Sequence, residues 1–173
     1  MYSIAICDNV ELHREQLAAM LSKHYSMNSS ILSIRKFSNG TDCLASISQQ
    51  REHYDIFLLD IKMPGMNGIN LAGRIRDLYG SHEVVIIFTS AYAEDYWKEL
   101  VNLQIFGYFD KPFQYDEVTA KVEEAILHLN EKKKLFHYRF NKQDYYLTLD
   151  DIIFLESQNK RIFVYHQKSG CVT

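Results

Sequence analysis

Through the first 130 residues, short apolar runs alternate with longer stretches in which apolar positions recur every three to four residues. The runs Ser3–Cys7, Ile31–Phe37, Tyr54–Leu59, Val84–Thr89 and Gly107–Phe109 are rich in β-branched or aromatic residues and bounded by polar or turn-forming ones, so each predicts a strand. The stretches Glu11–Tyr25, Thr41–Gln49, Ile69–Tyr79, Ala93–Gln104 and Asp116–Lys133 predict helices. In the last of them Val118, Val122, Ala125, Ile126 and Leu129 share one face. Strands apolar on both faces and alternating with helices imply a parallel sheet covered on both sides. Residues 1–130 therefore predict an α/β domain, a small doubly wound sheet of five strands.

The pattern changes after the run Glu131-Lys132-Lys133-Lys134, where three lysines suit a helix C-terminus and residues 131–134 suit a linker. Phe136–Phe140, Tyr145–Leu149, Ile152–Glu156 and Ile162–Tyr165 predict four short strands with no helix among them, and the closing QKSGCVT predicts a turn leading into another strand. Three or four strands make a poor core. Residues 135–173 are thus expected to be the N-terminal part of a mostly-β domain cut short.

Composition adds exclusions. No apolar run approaches the roughly 20 residues that a membrane span needs, and MYSIAICDNV lacks the basic start and apolar core of a signal peptide. Cys7, Cys43 and Cys171 are odd in number, far apart and in no metal-ligand spacing, which fits buried thiols in a reducing compartment. The seven histidines form no HExxH or similar pairing. A cytoplasmic protein without a membrane partner is expected. The net charge of −3 hides an asymmetry: residues 1–130 carry 11 Lys and Arg against 17 Asp and Glu, whereas residues 131–173 carry 8 against 5. An acidic body and a basic tail suggest modules with different partners.

In doubly wound sheets, ligands gather at the carboxyl ends of the strands. Here those ends are Cys7-Asp8-Asn9, Leu59-Asp60, Thr89-Ser90 and Asp110-Lys111-Pro112. Two carboxylates side by side repel unless a cation lies between them, and hard oxygen donors favour Mg²⁺. A lysine and a hydroxyl beside them suit the oxygens of a phosphoryl group. Nucleophile, metal and charge stabilisation are the equipment for phosphoryl transfer to a carboxylate. Asp60 is the natural nucleophile, because it ends the most apolar central strand and leads into the turn-rich loop IKMPGMNG.

The segments IAICDN, FLLDIKMPGMNGINLAGRIR, VIIFTSAY and GYFDKPF together resemble the receiver domain of two-component response regulators. The resemblance implies a flavodoxin-like sheet of order 2-1-3-4-5, with Asp60 as phosphoacceptor and a sensor histidine kinase as donor. It implies Mg²⁺ held by Asp8, Asn9, Asp60 and the backbone carbonyl of Lys62. Thr89 and Lys111 would bind phosphoryl oxygens, Thr89 and Tyr108 would report the switch, and the Lys111–Pro112 bond is a candidate for cis. It further implies a homodimer through the face of the fourth helix, fifth strand and fifth helix. The family usually has two acidic residues where this chain has Asp8-Asn9, and an amide brings no negative charge to a metal.

The tail segment LFHYRFNKQDYYLTLDDIIFLESQNKRIFVYHQKSG resembles the opening strands of the LytTR-type DNA-binding domain of LytR/AgrA regulators. That resemblance makes Asn159, Lys160 and Arg161, in the loop Gln158–Arg161, candidates for DNA contact, with weak DNA affinity for this chain alone.

Other classes fit less well. An aspartyl-phosphate hydrolase on a similar fold would carry its nucleophile on the first strand with a second Asp two residues on, where Val10 stands, and no Gly-rich loop follows the first strand for a dinucleotide. A switch rather than an enzyme is expected. A receiver-like interaction module that never takes phosphate stays open, resting on Asn9.

Overall fold

The computed structural model describes residues 2–26, 32–79, 83–90, 96–132, 135–140, 143–149, 152–158, 161–166 and 170–172. The chain divides into two units, Met1–Leu129 and Asn130–Thr173.

In the first unit five strands, β1 (Tyr2–Cys7), β2 (Leu32–Phe37), β3 (Ile56–Asp60), β4 (Val85–Ser90) and β5 (Gly107–Asp110), alternate with five helices. The helices are α1 (Glu11–His24), α2 (Gly40–Ser48), α3 (Gly68–Tyr79), α4 (Trp97–Asn102) and α5 (Tyr115–Lys132). The strands pair in the order β2-β1-β3-β4-β5, every pair parallel. This is the flavodoxin-like arrangement that the resemblance to receiver domains implies.

Successive side chains of a strand point to opposite faces, and the two faces bury different helices. Ala5, Cys7, Phe57, Leu59, Ile86 and Phe88 pack with residues of α2, α3 and α4, including Cys43, Leu71, Ile75 and Leu100. Ile4, Ile6, Ile56, Leu58, Val85, Ile87 and Phe109 pack with Leu17 and Leu21 of α1 and with Val118, Val122, Ala125 and Leu129 of α5. β3 and β4 are buried at every position, as central strands covered on both sides must be.

Local chemistry starts the helices. The Asn39 side chain accepts from the Asp42 amide at 2.8 Å to cap α2, and Asn67 does the same for the Asn70 amide ahead of α3 at 2.8 Å. α4 (Trp97–Asn102) stops short of the expected end at Gln104, and residues 93–95 lie outside the described residues. Gln104, with φ of 49°, leaves the helical region directly after it. The Arg76 guanidinium of α3 donates to the carbonyls of Leu103 (3.0 Å), Gln104 (3.0 Å) and Val84 (2.9 Å), tying the end of α4 to the approach of β4.

The second unit holds an antiparallel hairpin, β6 (Leu135–Phe140) with β7 (Gln143–Thr148). It also holds a three-stranded sheet in the order β10-β9-β8, built from β8 (Ile152–Gln158), β9 (Arg161–His166) and β10 (Gly170–Val172). Gln158 pairs with Arg161 across the β8–β9 hairpin. The expected loop Gln158–Arg161 is therefore narrower: Arg161 opens β9, while Asn159 and Lys160 lie outside the described residues.

Candidate functional site

The parity that sorts the core also selects the site. Ile4 and Ile6, Ile56 and Leu58, Val85 and Ile87, and Phe109 all face α1 and α5. Two residues further on, at the carboxyl end of each strand, come Asp8, Asp60, Thr89 and Lys111. Period two thus aims four side chains from four strands toward one side of one sheet edge.

Three of them are in contact. The Lys111 ammonium donates to Asp8 Oδ2 at 2.8 Å and to Asp60 Oδ1 at 2.7 Å. Asp8 is fully buried and Asp60 is 5% exposed, so both charges lie largely out of water. Thr89, paired in register with Asp60, is buried too, and its Oγ1 has no hydrogen-bond partner. A buried hydroxyl without a partner costs free energy unless something else takes its hydrogen bond. The peptide bond before Pro112 is cis, as the resemblance implies.

Burial pushes the Asp60 carboxyl above its ordinary range, the Lys111 hydrogen bond and charge pull it back, Asp8 adds to the rise and His13 opposes it. Acids perturbed by burial and a specific charge partner cluster at functional sites.

The other expected residues sit around this core. Asn9 follows Asp8 and is exposed. Lys62 lies in the β3–α3 loop with its ammonium 5.9 Å from the Tyr96 ring centroid. Tyr108 of β5 is paired with Phe88 and is partly exposed. Of the DNA candidates only the backbone of Arg161 is described.

Two contributors escape a motif search, and Gly68 of the loop IKMPGMNG does more there than shape a turn. His13, in the first turn of α1, places Nδ1 3.2 Å from Asp8 Oδ2, and Arg14 donates to the Asp8 carbonyl at 2.6 Å. Gly68, at the start of α3, leaves no room for a side chain: a Cβ there would stand 2.1 Å from the Asp60 carbonyl oxygen. The signal for the first two was position, since the opening turn of a helix after a site-bearing strand lies against that strand's end.

The donor set fits a hard divalent cation. Two buried carboxylates brought within reach of one ammonium suit a hard cation such as Mg²⁺. A cleft of about 290 Å³ lined by Leu21, Tyr25, Leu32 and Ile34 lies at the far end of α1, away from these groups.

Comparison with known proteins agrees with this geometry. The family model described as response regulator receiver domain matches residues 4–123. The sensory transduction protein LytT of Oceanobacillus iheyensis is 33% identical over 130 residues, covering 75% of this chain and 50% of that protein. The transcriptional regulatory protein YpdB of Escherichia coli is 24% identical over 182 residues, covering 98% of this chain and 71% of that protein. A CheY-like receiver from Methanospirillum hungatei superposes with a TM-score of 0.66 at 20% identity over 76% of this chain and 98% of that one, a likeness of fold. The chain thus spans about half the length of LytT. With the sheet order, the gathered acids and lysine and the matched family model in agreement, the chain belongs to the response regulator receiver domain family.

Proposed function

We propose that this receiver takes a phosphoryl group on Asp60 from a phosphohistidine of a sensor histidine kinase. One observation supports it most: the Lys111 ammonium bridges Asp8 and Asp60 beside a buried Thr89 hydroxyl that lacks a partner. An Asp60 carboxylate oxygen attacks phosphorus, the phosphorus–nitrogen bond breaks, and the electron pair leaves with the imidazole of the donor. Lys111 then turns from the carboxylates to a phosphoryl oxygen, and the Thr89 hydroxyl donates to another. Asp8, Asp60, Asn9 and the Lys62 carbonyl would hold Mg²⁺, which when bound would neutralise charge between the acids and the phosphoryl group.

The switch follows from the same contacts. When Thr89 moves to the phosphoryl group, the space it leaves admits Tyr108, and the face of α4, β5 and α5 changes shape to pair with a second copy. In this reading residues 135–173 begin a LytTR-type output domain that meets DNA, with the loop Asn159, Lys160 and Arg161 against phosphates. Its support is the tail's sequence pattern, the five strands among its described residues and an alignment with YpdB that covers 98% of this chain. No helix among the described residues is long and apolar enough to cross a membrane. The reading places the regulator in the cytoplasm, where its scattered thiols stay reduced.

Incubation with acetyl phosphate and Mg²⁺ followed by intact-mass measurement tests the reading. Wild type gains one phosphoryl group and Asp60→Ala gains none. A modified Asp60→Ala, or an unmodified wild type, refutes the assignment.

A further inference from the structure

Asp8 is held from several sides, and α1 supplies part of the hold. Its Oδ1 accepts the Val10 amide at 2.8 Å. Its Oδ2 takes the Lys111 ammonium and faces His13 Nδ1 at 3.2 Å. The His13 ring stands edge-on to Phe113, with centroids 5.8 Å apart and planes at 76°, and its side chain stays 28% exposed. Phe113 is itself buried and sits two residues beyond Lys111, so the imidazole touches Asp8 on one side and the segment that carries the lysine on the other.

We propose that His13 is a positioning residue for cation binding: its Nδ1–H donates to Asp8 Oδ2 and fixes the carboxylate plane toward the pocket. The inference rests on the reading that Asp8 and Asp60 hold a divalent cation. Hydrogen-bond donors behind a metal-binding carboxylate set its orientation, and their loss typically weakens metal binding about 10- to 100-fold. Such a donor matters more here than in a pocket with three acids. Asn9 brings no charge, so Asp8 supplies one of two carboxylates available to the ion, and a carboxylate free to turn would weaken half of the attraction. Lys111 cannot serve the same purpose, because its charge repels the arriving cation and it must swing away to the phosphoryl group.

The test is a titration of the full chain with Mn²⁺, following free ion by electron paramagnetic resonance, on wild type and three variants. His13→Ala is expected to raise the dissociation constant about tenfold. His13→Asn, whose side-chain amide can place an N–H near the position of Nδ1, is expected to recover most of that loss, which a mere space-filling role would not produce. Wild-type affinity in His13→Ala overturns the proposal, as does a His13→Asn variant as weak as the alanine. Asp8→Asn separates the two levels. If it binds Mn²⁺ less tightly while His13→Ala does not, the role of His13 alone fails; if it binds like wild type, the cation reading beneath it fails as well.

Discussion

Asp60 is an acid on which opposing influences meet. Burial and the neighbouring Asp8 favour its protonated form, whereas Lys111 and His13 favour the carboxylate, and burial is the largest influence, so the carboxyl titrates above its ordinary range. The folded protein then holds the Asp60 proton more tightly than the unfolded chain does. For a carboxyl raised in this way, the favourable contribution to stability is complete below the unfolded value and is lost as pH climbs through the folded value. At neutral pH the ionised Asp60 is therefore a net burden. Asp60→Asn removes it while Lys111 keeps Asp8 as its partner, so the variant should melt above wild type at neutral pH. The difference should shrink as pH is lowered into the ordinary carboxylate range. A thermal-melt series over pH checks this, and a variant that melts lower than wild type at neutral pH would mean the ion pair with Lys111 outweighs burial.

Among the elements, α3 fixes where the Asp60 peptide lies. Gly68 opens that helix, its amide donates to the Ile61 carbonyl at 3.1 Å, and its missing Cβ is what admits the Asp60 carbonyl. Gly68→Ala must push the helix start away from β3, at a cost of about 1–3 kcal/mol for overpacking, and should slow phosphorylation by displacing the acceptor. A Cβ at Gly73, inside the same helix, would meet nothing beyond the helix's own backbone nearer than Leu103 Cδ2 at 4.0 Å. Gly73→Ala should instead stabilise by about 0.5–1 kcal/mol through helix propensity. Urea unfolding of the two variants gives opposite shifts of midpoint in this account; equal shifts would show that the contact with Asp60 is not the cause.

Element by element, much of this was legible in the sequence. β-branched runs such as Val85–Ser90 announce a buried strand, and the strand ends already place Asp8, Asp60, Thr89 and Lys111 on one edge. The close approach at Gly68 was not, because a glycine after Asn67 looks like any turn residue until the neighbouring backbone is seen. His13 and Arg14 were hidden for a related reason. α1 buries Leu17 and Leu21 yet exposes Leu12, so its apolar pattern does not tell which way its first turn faces. The hairpin of β8 and β9 extended further than turn residues alone suggested, because strand pairing carries Gln158 and Arg161 into the ladder.

Over the whole molecule the two units differ in how much they can bury. The receiver closes two apolar layers around its sheet, whereas in the second unit Ile153, Phe154, Leu155 and Ile162 are exposed and Val164 is the one buried apolar residue among those described. The acidic balance of residues 1–130 and the basic balance of 131–173 follow the same division. Such a chain suits a switch whose phosphorylated state is read by a second module. The central claim, that Asp8, Asp60, Thr89 and Lys111 surround one metal-and-phosphate pocket, is tested most directly by adding beryllium fluoride, a phosphoryl mimic, with Mg²⁺ and recording amide resonances. The account predicts shifts concentrated at Asp8, Asp60, Thr89, Ser90 and Lys111 and spreading to Tyr108; an unchanged spectrum would contradict it and favour an interaction module that never takes phosphate.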